Sequence, residues 1–166
     1  MLALQPDGLT GEQLAAELYD DLTHSTTLRV EMTRLRRVVG DLLGSRPYRL
    51  TDTVRADFLD VGAALRSGDL AGALAAYQGP LLPNSDAPGV QAQRLWLDTQ
   101  LRSAILRSTD ANMVRVWADR AGLDDLEIWE HLDAMSPSGS SQRAVAAARV
   151  HQLRADYGLG PDATFM

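Results

Sequence analysis

The chain contains no cysteine and no lysine. Without cysteine there is no disulfide framework, no thiolate metal site and no thiol nucleophile. Without lysine, all sixteen basic residues are arginine. Together with the abundant alanine, this points to a GC-rich coding sequence, which bears on origin and not on function. Long apolar runs are also missing, and none approaches the roughly 18 residues of a membrane span. The opening MLALQPDG has neither a basic flank nor a long apolar centre, so it does not read as a signal peptide. The expectation is a soluble, cytoplasmic protein with no membrane partner.

The motifs of common enzymes are absent as well. No GxxxxGK[ST], GxGxxG or GxSxG pattern occurs. His24, His131 and His151 stand far apart with no HxxxH spacing, so no metal site is expected. The serines of SPSGSS (136–141) have no base near them in sequence and read as a linker. With no catalytic constellation, the chain is not expected to be an enzyme, and no cofactor is expected.

What is present is an uneven charge. The 166 residues carry a formal net charge of −6. Residues 25–55 hold seven arginines (29, 34, 36, 37, 46, 49 and 55) against Glu31, Asp41 and Asp52, a local net of +4. The remainder holds nine arginines against nineteen acids, a net of −10. A basic patch on an acidic body is the footprint of an anion-binding surface, and the acidic remainder confines a polyanion to that patch.

The segment TTLRVEMTRLRRVVG (26–40) carries four of these arginines. Leu28, Met32, Leu35 and Val39 recur at helical spacing and predict one buried stripe. At about 100° per residue, Thr26, Val30 and Arg37 lie nearly opposite. Arg29, Thr33 and Arg36 fall on one flank and Arg34 on the other. A loss of roughly 2–5 kcal/mol is expected for Leu35→Ala on this reading.

Upstream, Asp7-Gly8 signals a turn, and Thr10 through Gln13 fits a capping box opening a helix with Leu14 and Leu18 inward. MLAL before the turn reads as the end of another helix. LTHS (22–25) is a short connection. Downstream, Gly40 and Gly44 stop the arginine-rich helix, and residues 42–52 read as a small β-hairpin. From Asp57 the composition becomes rich in alanine and leucine, with two helices joined at Ser67-Gly68-Asp69. A loop over 81–89 leads to a long helix over 90–108 containing Leu95, Leu97, Leu101 and Ile105. Helices near 111–121, 124–135 and 142–158 follow, the last with Gly158 as C-cap, and the tail GPDATFM is frayed. Trp96, Trp117 and Trp129 read as core or interface. Asp124, Asp125 and Glu127 suit a helix start.

Helix, turn, arginine-rich helix and hairpin follow one another in the order of a winged helix-turn-helix. A major groove about 12 Å wide admits one helix, and arginine's planar fork suits both phosphate and guanine edges. Thr26 and Thr33 suit phosphate or base edges, Val30 a thymine methyl, and Arg46 and Arg49 the neighbouring backbone.

The stretches GLTGEQLAAELYDD, STTLRVEMTRLRRVVG and SRPYRLT resemble the winged-helix domain of OmpR-type response regulators and of actinobacterial antibiotic-regulatory activators. DFLDVGAALRSGDLAGALAAYQGPLLPNSDAPGVQAQRLWLDTQLRSAIL resembles the helical bacterial transcriptional activator domain that follows it there. YQGPLLPNSDAPGV resembles still more the C-terminal regions of actinobacterial GAF-domain transcriptional regulators. The resemblance spans roughly residues 2–108. It implies sequence-specific DNA binding by a recognition helix at about 26–39. Its contacts would fall on Thr26, Arg29, Val30, Thr33, Arg34, Arg36 and Arg37, with wing residues Arg46, Tyr48 and Arg49. It also implies that Arg36 has a structural role, pairing with acids of the preceding helix.

The family domain begins with strands and a complete first helix, of which only MLAL is present here. The expectation is therefore a piece of a longer protein with an upstream sensor domain. The expected fold is mainly α: a truncated winged helix-turn-helix with a β-hairpin wing over 1–55, then an α-helical, TPR-like bundle over 56–166. The expected partners are double-stranded DNA and either RNA polymerase or a second copy. The alternative is a helical protein–protein interaction module that no longer binds DNA.

Overall fold

The computed structural model describes residues 1–19 and 25–160. Of the connection expected over 22–25, positions 22–24, with His24, lie outside the described residues, as does the tail beyond Gly160, whereas Ser25 is already helical. The chain is mainly α, with eight α-helices and one two-stranded antiparallel sheet among the described residues. The helices are α1 Gly11–Tyr19, α2 Ser25–Val39, α3 Asp57–Ser67, α4 Leu70–Ala76, α5 Pro88–Leu106, α6 Ala111–Arg120, α7 Leu126–Met135 and α8 Ser141–Asp156. The strands are β1 Leu43–Gly44 and β2 Arg49–Leu50. No helix among the described residues is long and apolar enough to cross a membrane.

Two compact units emerge, one formed by residues 1–63 with 76–98, the other by 64–75 with 99–166. In the first unit, Leu9, Leu14, Ala15, Leu28, Met32 and Leu43 form a buried apolar cluster that joins α1, α2 and β1. Each fully buried leucine contributes about 1.5–3 kcal/mol by leaving water. α1 starts where its capping box requires. The Thr10 amide donates to Gln13 Oε1 at 2.8 Å, and the Gln13 amide donates to Thr10 Oγ1 at 3.2 Å. MLAL forms only a 3-10 turn at Leu2–Leu4 and not the end of an α-helix.

The hairpin lies where it is expected, with Leu43 opposite Leu50 and Gly44 opposite Arg49. It is tied to the start of the chain by two backbone bonds between Leu9 and Tyr48, each 2.8 Å. Gly8, at φ +85°, makes that approach possible, since a Cβ there would stand 2.7 Å from the Tyr48 carbonyl oxygen. Further along this unit, Arg94 donates to the carbonyls of Leu81 (2.7 Å), Leu82 and Ser85 (3.0 Å) and so fixes the 81–85 loop. Burial, aided by hydrogen bonding to Asp98, pushes the Tyr77 phenol above its ordinary value.

In the second unit, Leu101, Ile105, Val114, Trp117, Ile128, Trp129, Leu132 and Leu153 are buried. α7 packs on α8, and α6 on α7. Three side chains cap these helices: Asp110 accepts from the Asn112 amide, Asp125 from Ile128 and Ser140 from Arg143. Asp125 therefore starts α7 as its sequence position suggests. α8 ends in a Schellman pattern at Gly158 (φ +66°), with Gly158 N–H to the Ala155 carbonyl and Leu159 N–H to the Arg154 carbonyl. Among the three tryptophans, Trp117 and Trp129 are core, whereas Trp96 on α5 is 40% exposed, as is its neighbour Leu95 at 68%.

Candidate nucleic-acid interface

α2 presents most of its surface outward. Leu28 and Met32 are the residues it buries fully, against α1 and β1. The next inward position is Arg36 and not Leu35. Leu28 and Met32 are buried, Arg36 and Val39 are half-buried, and Leu35 is exposed. Leu35 is 41% exposed, which corrects the expected stripe of 28, 32, 35 and 39. Arg36 is half-buried in its place and is tied to β1. The Arg36 Nε then donates to the Leu43 carbonyl at 3.4 Å. Its second terminal nitrogen is buried and has no hydrogen-bond partner among the described residues. Arg36 thus holds α2 to β1 and is removed from the outward surface. The expected pairing of Arg36 with acids of the preceding helix is not seen among the described residues: Glu12 and Glu17, the acids of α1, form no ion pair with it.

The other expected residues of α2 are exposed. Thr26, Arg29, Val30, Thr33, Arg34 and Arg37 all face solvent. Val30, Arg37 and Arg34 lie within about 35° of the direction opposite the buried face. Arg29, Thr33 and Thr26 fall on one flank. The opposite flank carries Glu31, Leu35 and Val38, the last 84% exposed. Thr33 turns its hydroxyl back to the Arg29 carbonyl at 2.8 Å. Arg34 donates to Glu31 at 2.7 Å. In the hairpin, Arg46 and Arg49 are exposed. Tyr48, expected among the contacts, is half-buried and packs on the apolar cluster, so its ring supports the hairpin from beneath. Thr51 anchors the same hairpin through its hydroxyl to the Asp41 carbonyl at 2.7 Å.

The arginines of the two units are used differently. In the second unit five of them pair with acids: Arg102 with Asp125 and Glu127, Arg115 with Asp119, Arg143 with Asp133, Arg149 with Asp124 and Arg154 with Glu130. The two carboxylates raise the Arg102 guanidinium's proton affinity. None of the ion pairs among the described residues involves Arg29, Arg37, Arg46 or Arg49. Among the described residues these four arginines have no ion-pair partner, although the chain as a whole is acidic.

The grooves among the described residues differ in character. One of about 760 Å³ in the second unit is walled by the charges of Arg102, Arg120, Asp124, Asp125, Glu127 and Glu130. One of about 140 Å³ in the first unit is lined by apolar residues that include Val61, Leu81 and Leu97. Among the described residues no group of three or more His, Cys, Asp or Glu side chains is placed to share a metal.

Comparison with known proteins adds three findings. Residues 110–159, which include α6, α7 and α8, match the family described as "YTH3-like protein, third C-terminal helical domain". The chain is similar to an "uncharacterized 47.3 kDa protein in thcA 5′ region" of Rhodococcus erythropolis, with 40% identity over 162 residues. That match covers 96% of this chain and 37% of the relative's length. No solved structure matches the chain.

Proposed function

We propose that the chain is a DNA-binding region of a transcriptional regulator. In this reading residues 1–55 carry a winged helix-turn-helix, α2 is the recognition helix in the major groove, and β1–β2 is the wing. Residues from 56 onward are the helical, TPR-like effector bundle, which contacts polymerase or a second copy. The observation that supports it best is the set of arginines at 29, 37, 46 and 49, without an ion pair among the described residues and exposed on one helix and one hairpin of an acidic chain. Arg29, Arg46 and Arg49 suit phosphates, while Arg34 and Arg37, with Val30 between them, suit base edges. The test is fluorescence anisotropy with duplexes from the DNA upstream of the chain's own gene. Arg34→Ala and Arg37→Ala should each weaken binding without loss of helical signal, since both residues are exposed. Unchanged affinity in both variants removes the groove-facing assignment.

A second reading has its own observation. Leu35, Val38 and Leu42 are exposed at 41%, 84% and 49% on and just after α2. An apolar strip of this kind suits a protein partner. Such binding should persist as salt rises, whereas binding to phosphates should not.

A further inference from the structure

We propose that Glu31 is a specificity residue: it holds Arg34 for a base edge and keeps phosphate off its flank of α2. The inference rests on the DNA reading above and names how that surface discriminates. Glu31 is the one acid in α2, and it is exposed on one flank of the helix. Its carboxylate accepts from Arg34 Nη1 at 2.7 Å, one turn apart on the same face. Both side chains are substantially exposed, 68% for Arg34 and 48% for Glu31. A pair of this kind adds little to stability. Its consequence lies in charge placement.

The outward face of α2 is asymmetric. One flank offers Arg29, Thr33 and Thr26, a cation and two hydroxyl residues. The other offers Glu31, Leu35 and Val38, an acid and two apolar residues. A helix in a major groove has a sugar–phosphate wall on each side. The Arg29 flank suits such a wall, and the Glu31 flank repels it. Arg34 lies between the outward direction and the repelling flank. With one nitrogen tied to Glu31, its guanidinium is oriented and its charge is locally offset. It is thereby a poorer clamp for any phosphate, yet it retains free donors for guanine O6 and N7. Non-specific affinity comes almost entirely from phosphate contacts. Glu31 lowers that component while leaving base reading in place, which raises the ratio of specific to non-specific binding.

The test uses the full chain, a random-sequence duplex pool of roughly 20 base pairs, two helical turns, and duplexes selected from that pool by the unmodified chain. Glu31→Gln keeps the size and removes the charge. Its affinity for the unselected pool should rise about threefold, and its salt slope should steepen by about 0.9, the amount for one more phosphate contact. Affinity for the selected duplexes should change little, so the specificity ratio falls by the same factor. Arg34→Ala should weaken the selected duplexes about tenfold, within the range for one bidentate base contact, and leave the unselected pool unchanged. Circular dichroism checks that both variants are folded. Glu31→Gln changing neither pool, or both equally, overturns the inference while leaving the DNA reading standing. Arg34→Ala weakening both pools alike does the same. Failure of the unmodified chain to bind either pool removes the DNA reading and this inference together.

Discussion

Replacing Leu28 and Leu35 by alanine, one at a time, should give very different losses of stability. The two leucines are seven residues apart on one helix, so propensity and chain entropy are the same for both. Their surroundings differ. Leu28 is 1% exposed among Leu9, Leu14, Ala15, Met32 and Leu43, and Leu35 is 41% exposed. Truncating Leu28 forfeits the transfer free energy of its outer carbons and leaves a cavity between α1, α2 and β1. Core leucines treated this way cost about 2–5 kcal/mol. Leu35 leaves little or no cavity and is already largely wet, so its loss should stay below about 1 kcal/mol. Urea unfolding of each variant, followed by amide hydrogen exchange across α1 and α2, reads the local stability of the first unit. Equal losses, or a larger loss at Leu35, would refute the helix phase, and the assignment of Arg34, Arg37 and Val30 to the outward face would fall with it.

Other consequences are as direct. Thr10→Ala removes half of the capping box and should cost about 0.5–2 kcal/mol, measurable in the same urea titration; an unaltered midpoint would contradict the cap. Leu82 sits at φ +41° with its side chain 59% exposed, so Leu82→Gly relieves a left-handed conformation and should stabilise by up to about 1 kcal/mol. A destabilised variant would show that the exposed leucine contributes more than its backbone costs. Because the folded state holds the Tyr77 proton more tightly than the unfolded chain, whose phenol titrates near 10.0, that stabilisation is full below pH 10 and is lost as pH rises further. Tyr77→Phe should flatten this alkaline decline, and a decline of the same steepness would assign it to other groups.

Local signals were legible in the sequence where one short rule decides the outcome. The capping box at Thr10 and Gln13, the hairpin around Pro47, the junction at Gly68 and the Gly158 cap each rest on a few neighbouring residues, and each occurs where it is read. The phase of α2 was not fully legible. Hydrophobicity favours Leu35 for the core over Arg36, but the packing of α1 and β1 selects the direction through 28, 32 and 36. An arginine that snorkels to a backbone carbonyl leaves no apolar mark in the sequence. Tyr48 stands among the expected contacts only through the family resemblance, and here its backbone pairs with Leu9 and its side chain packs on the core. The Arg94 clamp on the 81–85 loop joins residues about ten positions apart through carbonyl oxygens, which carry no residue-type signature. Exposure of Leu95 beside buried Leu97 and Leu101 follows from which face of α5 is covered, and that too is set by tertiary packing.

The DNA reading is tested most directly by the salt dependence of the full chain's affinity for a random duplex pool. Arg29, Arg46 and Arg49 at three phosphates predict a log–log slope of about −2.7. A slope near zero, or no binding by a chain that circular dichroism shows to be folded, would contradict the account and favour the apolar strip of Leu35, Val38 and Leu42 as the working surface.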